Sequence, residues 1–205
     1  MESSIQSWLA QANTQAKEST GTYEHAALIE RCLAGDSSGY ALLYREFAST
    51  IYRLNMSLLG NVEDAEEVLQ DSFEYAFRRL ETFDASKSAF KTWLYRIAIS
   101  RCRNKRRRKW LPTFSIHQVL EDDKDIPDQD SISPAEAVHL TEEQQRVAKA
   151  LSQLSDKLRE VAVLRYYEGL RYPEIGAILG ISHKTAESRM RLAHKRLRVL
   201  LAPAS

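Results

Sequence analysis

The chain has 205 residues, 43% of them apolar and 28% charged, and a formal net charge of only +1. That composition predicts one or two small soluble domains. No apolar run approaches the length that crosses a bilayer, so membrane insertion is not expected. Residues 1–15 lack a basic stretch followed by an apolar one, so they do not read as a secretory signal, and a cytoplasmic location is expected. The two cysteines, Cys32 and Cys102, stand far apart with no histidine cluster beside them. Buried or idle thiols are expected, with no metal site and no cofactor.

The near-neutral total hides a strong pattern. Residues 91–109 are densely basic and carry no acid. Residues 121–130 are acidic, with Lys124 the single basic residue. Residues 184–198 are basic again, with Glu187 the single acid. Two basic segments flanking an acidic one point to two contact points for a polyanion.

In chain order, residues 1–22 are rich in Ser, Gln, Thr and Ala and read as a mobile extension. A first domain is expected over 23–110. It opens with a short helix, Ala26 to Leu33, stopped at Gly35. Asp36 or Ser37 caps the next helix, in which Leu42, Leu43, Phe47, Ile51, Leu54 and Leu58 recur at helical spacing until Gly60. Asn61 and Asp64 resemble a capping box for a third helix carrying Ala65, Val68, Leu69, Phe73, Ala76 and Phe77. Thr82 to Ser88 is polar and aperiodic, a loop. The last helix has Phe90, Trp93, Leu94, Ile97 and Ala98 on its apolar stripe, with Thr92, Arg96, Arg103 and Arg107 opposite.

Residues 111–134 hold Pro112, Pro127, Pro134 and the acidic cluster. They read as a linker, a length of aperiodic chain tolerable only between domains. A second domain is expected over 135–201. It starts with a helix from about Glu136 to Leu154. Ser155 caps the next, with Leu158, Val161, Ala162, Leu164 and Tyr166, and Gly169 stops it. Pro173 suits the first turn of a short helix that Gly180 ends, and Ser182 caps a long helix, His183 to Leu200. No strand signal appears, so the predicted fold is all-α, two helical domains joined by a flexible acidic linker.

Three segments carry chemistry. Tyr172 to Met190 reads as a helix-turn-helix. Residues near the start of its second helix, His183, Lys184, Thr185, Glu187, Ser188 and Arg189, are placed to reach base edges in a major groove. Arg191, Lys195, Arg196 and Arg198 lie further along and suit phosphates. Caps, turn glycine and basic helix coincide here, which favours DNA binding over a plain helical hairpin. The second segment is the basic run Arg101 to Trp110, continuing an amphipathic helix that follows a polar loop. Aromatic rings and arginines beside such a loop suit unstacked single-stranded bases. From spacing alone, a plain basic surface fits it equally. The third is Asp64 to Phe73. Nothing nearby completes an acid–base pair or a metal site, so Glu67, Gln70 and Asp71 form an exposed polar face, either a partner surface or ordinary solvated helix.

Taken together these motifs carry a family resemblance. Ala34-Gly-Asp, Leu43-Tyr-Arg-Glu-Phe, Asp64-Ala-Glu-Glu-Val-Leu-Gln-Asp-Ser-Phe and Phe90-Lys-Thr-Trp-Leu-Tyr-Arg-Ile-Ala resemble region two of the extracytoplasmic-function (ECF) sigma factors. Leu154 to Leu170 and the helix-turn-helix resemble their region four. The resemblance covers about residues 26–198, with both regions in order and a linker in place of the intervening domain of larger sigma factors. It implies a non-enzymatic subunit of RNA polymerase, with promoter DNA and an anti-sigma factor as further partners. Glu67, Gln70 and Asp71 would dock on the clamp coiled coil of the largest core subunit. The Thr82–Ser88 loop, with Asp84, Ser86, Lys87 and Ser88, would capture a flipped base of the −10 element. Lys91, Trp93, Arg96, Arg103 and Arg107 would stand beside it, and Phe90 and Trp93 also belong to the apolar stripe. His183, Lys184, Thr185, Glu187, Ser188, Arg189, Arg191 and Lys195 would read the −35 element.

The chain departs from the family pattern at Ala186, Glu187 and Leu192, where a branched apolar residue, a basic residue and an arginine are common. It also lacks the Gly-Asp pair often found in the base-capturing loop, so no promoter sequence is assigned. A stand-alone helix-turn-helix regulator is the alternative, but it would need a dimerisation element that the sequence does not display. The five histidines are scattered, and no nucleophile–base pair marks an enzyme. The acidic linker is either a nucleic-acid mimic for a basic channel or a solvated tether.

Overall fold

The computed structural model describes residues 21–110 and 141–202. The expectations for residues 1–20, for the linker and for 135–140 lie outside the described residues. Within them the chain is all helix. The elements are α1 (Gly21–Leu33), α2 (Ser37–Leu59), α3 (Val62–Arg78), a 3-10 turn (Leu80–Thr82), α4 (Phe90–Trp110), α5 (Glu142–Ser152), α6 (Asp156–Tyr166), α7 (Tyr172–Leu179) and α8 (His183–Leu200).

Local chemistry sets most of these boundaries. Asp36 caps α2 by accepting from the Ser38 amide at 2.9 Å, and Arg31 holds the same carboxylate. Gly60 closes α2 in the left-handed region, φ 67°, which a side chain would disfavour. Asn61 caps α3 by accepting from the Asp64 amide at 2.8 Å. The reciprocal half of that expected box is not made. The Asp64 side chain is short and instead faces Lys105, 3.4 Å away. At α5, Thr141 and Gln144 form a complete capping box, so this helix starts at Glu142 rather than Glu136. Ser155 stands at the start of α6, but its side chain makes no capping bond. Its carbonyl accepts from both Leu158 and Arg159.

Helices α2, α3 and α4 pack around Leu43, Phe47, Ile51, Leu54, Val68, Phe73, Leu94 and Ala98, all buried. Both cysteines are free and buried. Burial pushes the Cys102 thiol up to about 12, which removes it as a nucleophile at neutral pH. In the second half α6 is the central rod. Every residue from Leu158 to Leu164 is buried, including Arg159 and Glu160. A helix buried on all sides must have neighbours on all sides. Here α8 and α7 cover part of it and α2, from the first half, covers the rest. Likewise α4 packs on α7. The two halves expected as separate domains therefore meet along a common contact.

Two substitutions test the local reasoning. A Cβ on Gly176 would lie 2.7 Å from the Ile181 carbonyl oxygen, a backbone atom in the turn after α7. Gly176→Ala is expected to destabilise the chain by about 1–3 kcal/mol through overpacking, read as a lower denaturation midpoint. Asn61→Ala removes a capping acceptor, and a loss of about 1 kcal/mol in chemical denaturation is expected.

Candidate nucleic-acid interface

The second helix of the helix-turn-helix is built from its cap outward. Ser182 accepts from the Thr185 amide at 3.1 Å, and the two hydroxyls lie 2.9 Å apart, so Thr185 is partly engaged at the cap. Gly180 reverses the chain in the left-handed region, φ 70°. Ala186, Met190 and Ala193 are buried against the rest of the half. That stripe leaves Lys184, Glu187, Ser188, Arg191 and Lys195 exposed on the opposite face, with His183 at the helix start. Thr185 and Arg189 are half-buried flanks of that face. Ala186 has no exposed surface at all. Its departure from the family pattern is therefore an interior difference, whereas Glu187 and Leu192 are surface ones. A narrow basic stripe on a helix capped this way fits a major groove end-first.

The loop before α4 has its own order. Asp84 accepts from the Ser86 amide and hydroxyl and sits 2.9 Å from the Lys87 ammonium. Those partners, the Ser86 hydroxyl first, hold the Asp84 carboxyl down at about 2. Asp84 and Ser88 are half-buried, and Ser86 and Lys87 are exposed. Beneath the loop, Phe83, Phe90 and Trp93 form a ring cluster with centroids 5.4–5.7 Å apart. Phe90 is buried and Trp93 half-buried, so Trp93 offers an edge rather than a free stacking face. Lys91 lies over the Tyr95 ring.

Along α4 the structure separates residues that the sequence reading had grouped together. Arg107 is exposed and donates to its neighbour Asn104 at 3.3 Å. Arg96 donates to the Ala177 carbonyl in α7 at 2.9 Å. Arg103 donates two bonds, 2.8 and 2.7 Å, to the Glu160 carboxylate in α6. That bonding raises the Arg103 pKa. Arg106, which the sequence reading did not single out, donates to the same carboxylate at 3.2 Å and lies 3.1 Å from Asp156. The face of α4 expected to be open thus carries arginines already occupied by the second half.

On α3, Gln70 and Asp71 are exposed. Glu67 is also exposed but is paired with Lys105 from α4, a bond that raises the lysine's pKa. Arg101, which the sequence reading named only as the start of the basic run, has its guanidinium 4.5 Å from the Tyr75 ring centroid on the surface shared by α3 and α4. Among the described residues no cluster of His, Cys, Asp and Glu has metal-holding geometry, and no helix is long and apolar enough to cross a membrane.

Comparison with known proteins matches this layout. The Sigma-70 region 2 family matches residues 43–111 and the Sigma-70 region 4 family matches residues 144–197. The chain is 30% identical to the ECF RNA polymerase sigma factor SigW of Bacillus subtilis, over 83% of this chain and 92% of that one. It is 31% identical to the RNA polymerase sigma-H factor of Pseudomonas aeruginosa, over 86% and 93%. Among solved structures, CnrH in complex with the cytosolic domain of CnrY superposes with a TM-score of 0.65 at 26% identity, covering 87% of this chain and 97% of that one. A helix-turn-helix and a basic, aromatic-flanked helix in one chain, each inside its own family match, identify the protein: it belongs to the ECF sigma factors of RNA polymerase.

Proposed function

We propose that the chain is a dissociable initiation subunit that binds core RNA polymerase, recognises the −10 and −35 elements of its promoters and favours their melting. The observation that carries this is the exposed stripe Lys184, Glu187, Ser188, Arg191 and Lys195 on a capped helix, present in the same chain as an ordered polar loop beside a basic helix. The first would seat in the −35 major groove, with His183, Thr185 and Arg189 at its margins. The second would hold unpaired −10 bases. Asp84, Ser86, Lys87 and Ser88 line the loop, Trp93 presents its ring edge, and Lys91, Arg96, Arg103 and Arg107 face phosphates. Glu67, Gln70 and Asp71 would form the acidic patch that docks on the core enzyme. By likeness to CnrH, an anti-sigma factor is the natural antagonist.

No bond is made or broken by the subunit itself. Its effect is differential binding: holding flipped, unpaired bases more tightly than stacked pairs shifts the duplex toward the open state. The deciding experiment is transcription by purified core polymerase supplemented with this chain on a library of genomic fragments. Discrete initiation sites are expected; a core that stays silent on every fragment sinks the proposal.

Two substitution sets follow. Lys184→Ala with Arg191→Ala is expected to weaken binding of the holoenzyme to a promoter it transcribes and to reduce the slope of log affinity against log salt by about 1 per lost phosphate contact. Asp71→Lys, at an exposed position of α3, is expected to lower co-purification with core polymerase while leaving the thermal midpoint within about 0.5 kcal/mol of the parent.

A further inference from the structure

The outward face of α8 carries one residue of the wrong sign for a polyanion. Lys184, Glu187, Ser188 and Arg191 recur at helical spacing and share one stripe, and all four are exposed. Glu187 is the single acid from 184 to 198. It stands inside the stripe rather than at its edge. At about 1.5 Å of rise per residue, Lys184 lies about 4.5 Å from it along the axis on one side and Arg191 about 6 Å on the other. The span from Lys184 to Arg191 matches about three base-pair steps of about 3.4 Å each.

A glutamate among cations has an ordinary role, pairing with a lysine or arginine one helical turn away. Lys184 and Arg191 both stand at such positions. Neither pair forms. Arg191 instead donates to the Ser188 hydroxyl at 3.3 Å, and among the described residues Glu187 makes no hydrogen bond or ion pair. The helix itself is anchored by Ala186, Met190 and Ala193, all buried. Neither packing nor a salt bridge occupies the carboxylate, so it is left to whatever this face meets.

A major groove offers a carboxylate few partners. Phosphates repel it. Guanine presents two acceptors, N7 and O6, and thymine presents the O4 acceptor and a methyl group. Adenine presents one donor, N6, beside the N7 acceptor. Cytosine presents the N4 amine and no acceptor on its own edge. Of the four bases, cytosine is therefore the one that draws a carboxylate without an opposing contact. A lysine or arginine at the same place makes the opposite choice, guanine.

We propose that Glu187 is a specificity-determining residue of α8, accepting a hydrogen bond from a cytosine N4 amine within the −35 contact and excluding guanine there. This rests on the promoter-binding reading above. Lys184 and Arg191 supply attraction to the duplex on either side, and Glu187 opposes it wherever the base is wrong. The carboxylate thus lowers general affinity and raises discrimination.

The test selects duplexes from a pool randomised over one turn of the double helix. It is run with the full chain alone and with core polymerase loaded with the full chain. The parent is expected to enrich cytosine at one position. Glu187→Arg is expected to move the preference at that position to guanine, and Glu187→Gln to adenine, whose N6 and N7 a glutamine can pair together. The sharpest readout is a crossing of affinities in Glu187→Ala. This variant is expected to bind the selected duplex about tenfold more weakly than the parent does, and to bind the duplex with that pair inverted to guanine more tightly. A carboxylate that acts only by repelling phosphates gives no crossing, because its loss tightens both duplexes alike. Glu30→Ala makes the same charge change at an exposed site on α1 and is expected to leave both affinities at the parent's values. A parent without a cytosine preference, a preference that Glu187→Arg leaves in place, or tightening of both duplexes by Glu187→Ala overturns the assignment. So does a chain that enriches no sequence in either format. Initiation with core polymerase is scored separately. A chain that shows the crossing yet never initiates overturns the initiation reading and supports the role of Glu187.

Discussion

Two adjacent residues on α6, Arg159 and Glu160, organise the molecule. Both lie in the buried run Leu158 to Leu164, which is otherwise Leu, Val and Ala. Neither charge is tolerable there alone, since removing water from an unpaired ion costs several kcal/mol. Glu160 is tolerated because α4 brings two guanidiniums to it, and Arg159 because two helix ends bring it four carbonyls. The burial of α6 therefore presupposes the neighbouring half. The same pair that fills the second half's interior also defines how the first half sits upon it.

This arrangement explains why the helix-turn-helix and α4 differ in how open they are. Among the described residues the outward face of α8 is exposed at Lys184, Glu187, Ser188, Arg191 and Lys195. The arginine face of α4 meets α6 and α7. The two candidate nucleic-acid surfaces are thus unequal in this form, one presented and one partly engaged. Local electrostatics reinforce the difference. Lys105 is turned back onto Glu67 and Asp64 within the first half, while Arg103 and Arg106 cross to the second. A run that looks uniformly basic in sequence divides into residues that hold the fold and residues free to meet a polyanion.

The sequence showed the helices and hid their partners. Periodic apolar residues such as Leu43, Phe47, Ile51 and Leu54 located α2, and Gly60, Asn61 and Ser182 located the end of α2 and the starts of α3 and α8 through cap chemistry that acts over three or four residues. On α8 the sequence reading named the outward residues but not the buried stripe Ala186, Met190 and Ala193, which the structure shows. The start of α5 was misplaced because Thr141–Gln144 is a capping box that a search for apolar periodicity passes over. The fate of Arg96 and Arg103 was not legible, because their acceptors lie 81 and 57 residues away and only tertiary packing brings them near. One local sign did exist. A glutamate and an arginine side by side inside the run Leu158 to Leu164, which is otherwise wholly apolar, require partners from elsewhere.

The chemistry of that contact is mixed. The buried apolar residues of both halves form one continuous cluster, and the Glu160 ion pairs lie beside it. Glu160 accepts both Arg103 bonds as a fork, Nε to one carboxylate oxygen and Nη2 to the other. A guanidinium suits this better than an ammonium, since its planar fork matches the carboxylate oxygen pair. The pairing therefore gives the contact of α4 with α6 a direction that apolar burial, which is non-directional, does not impose.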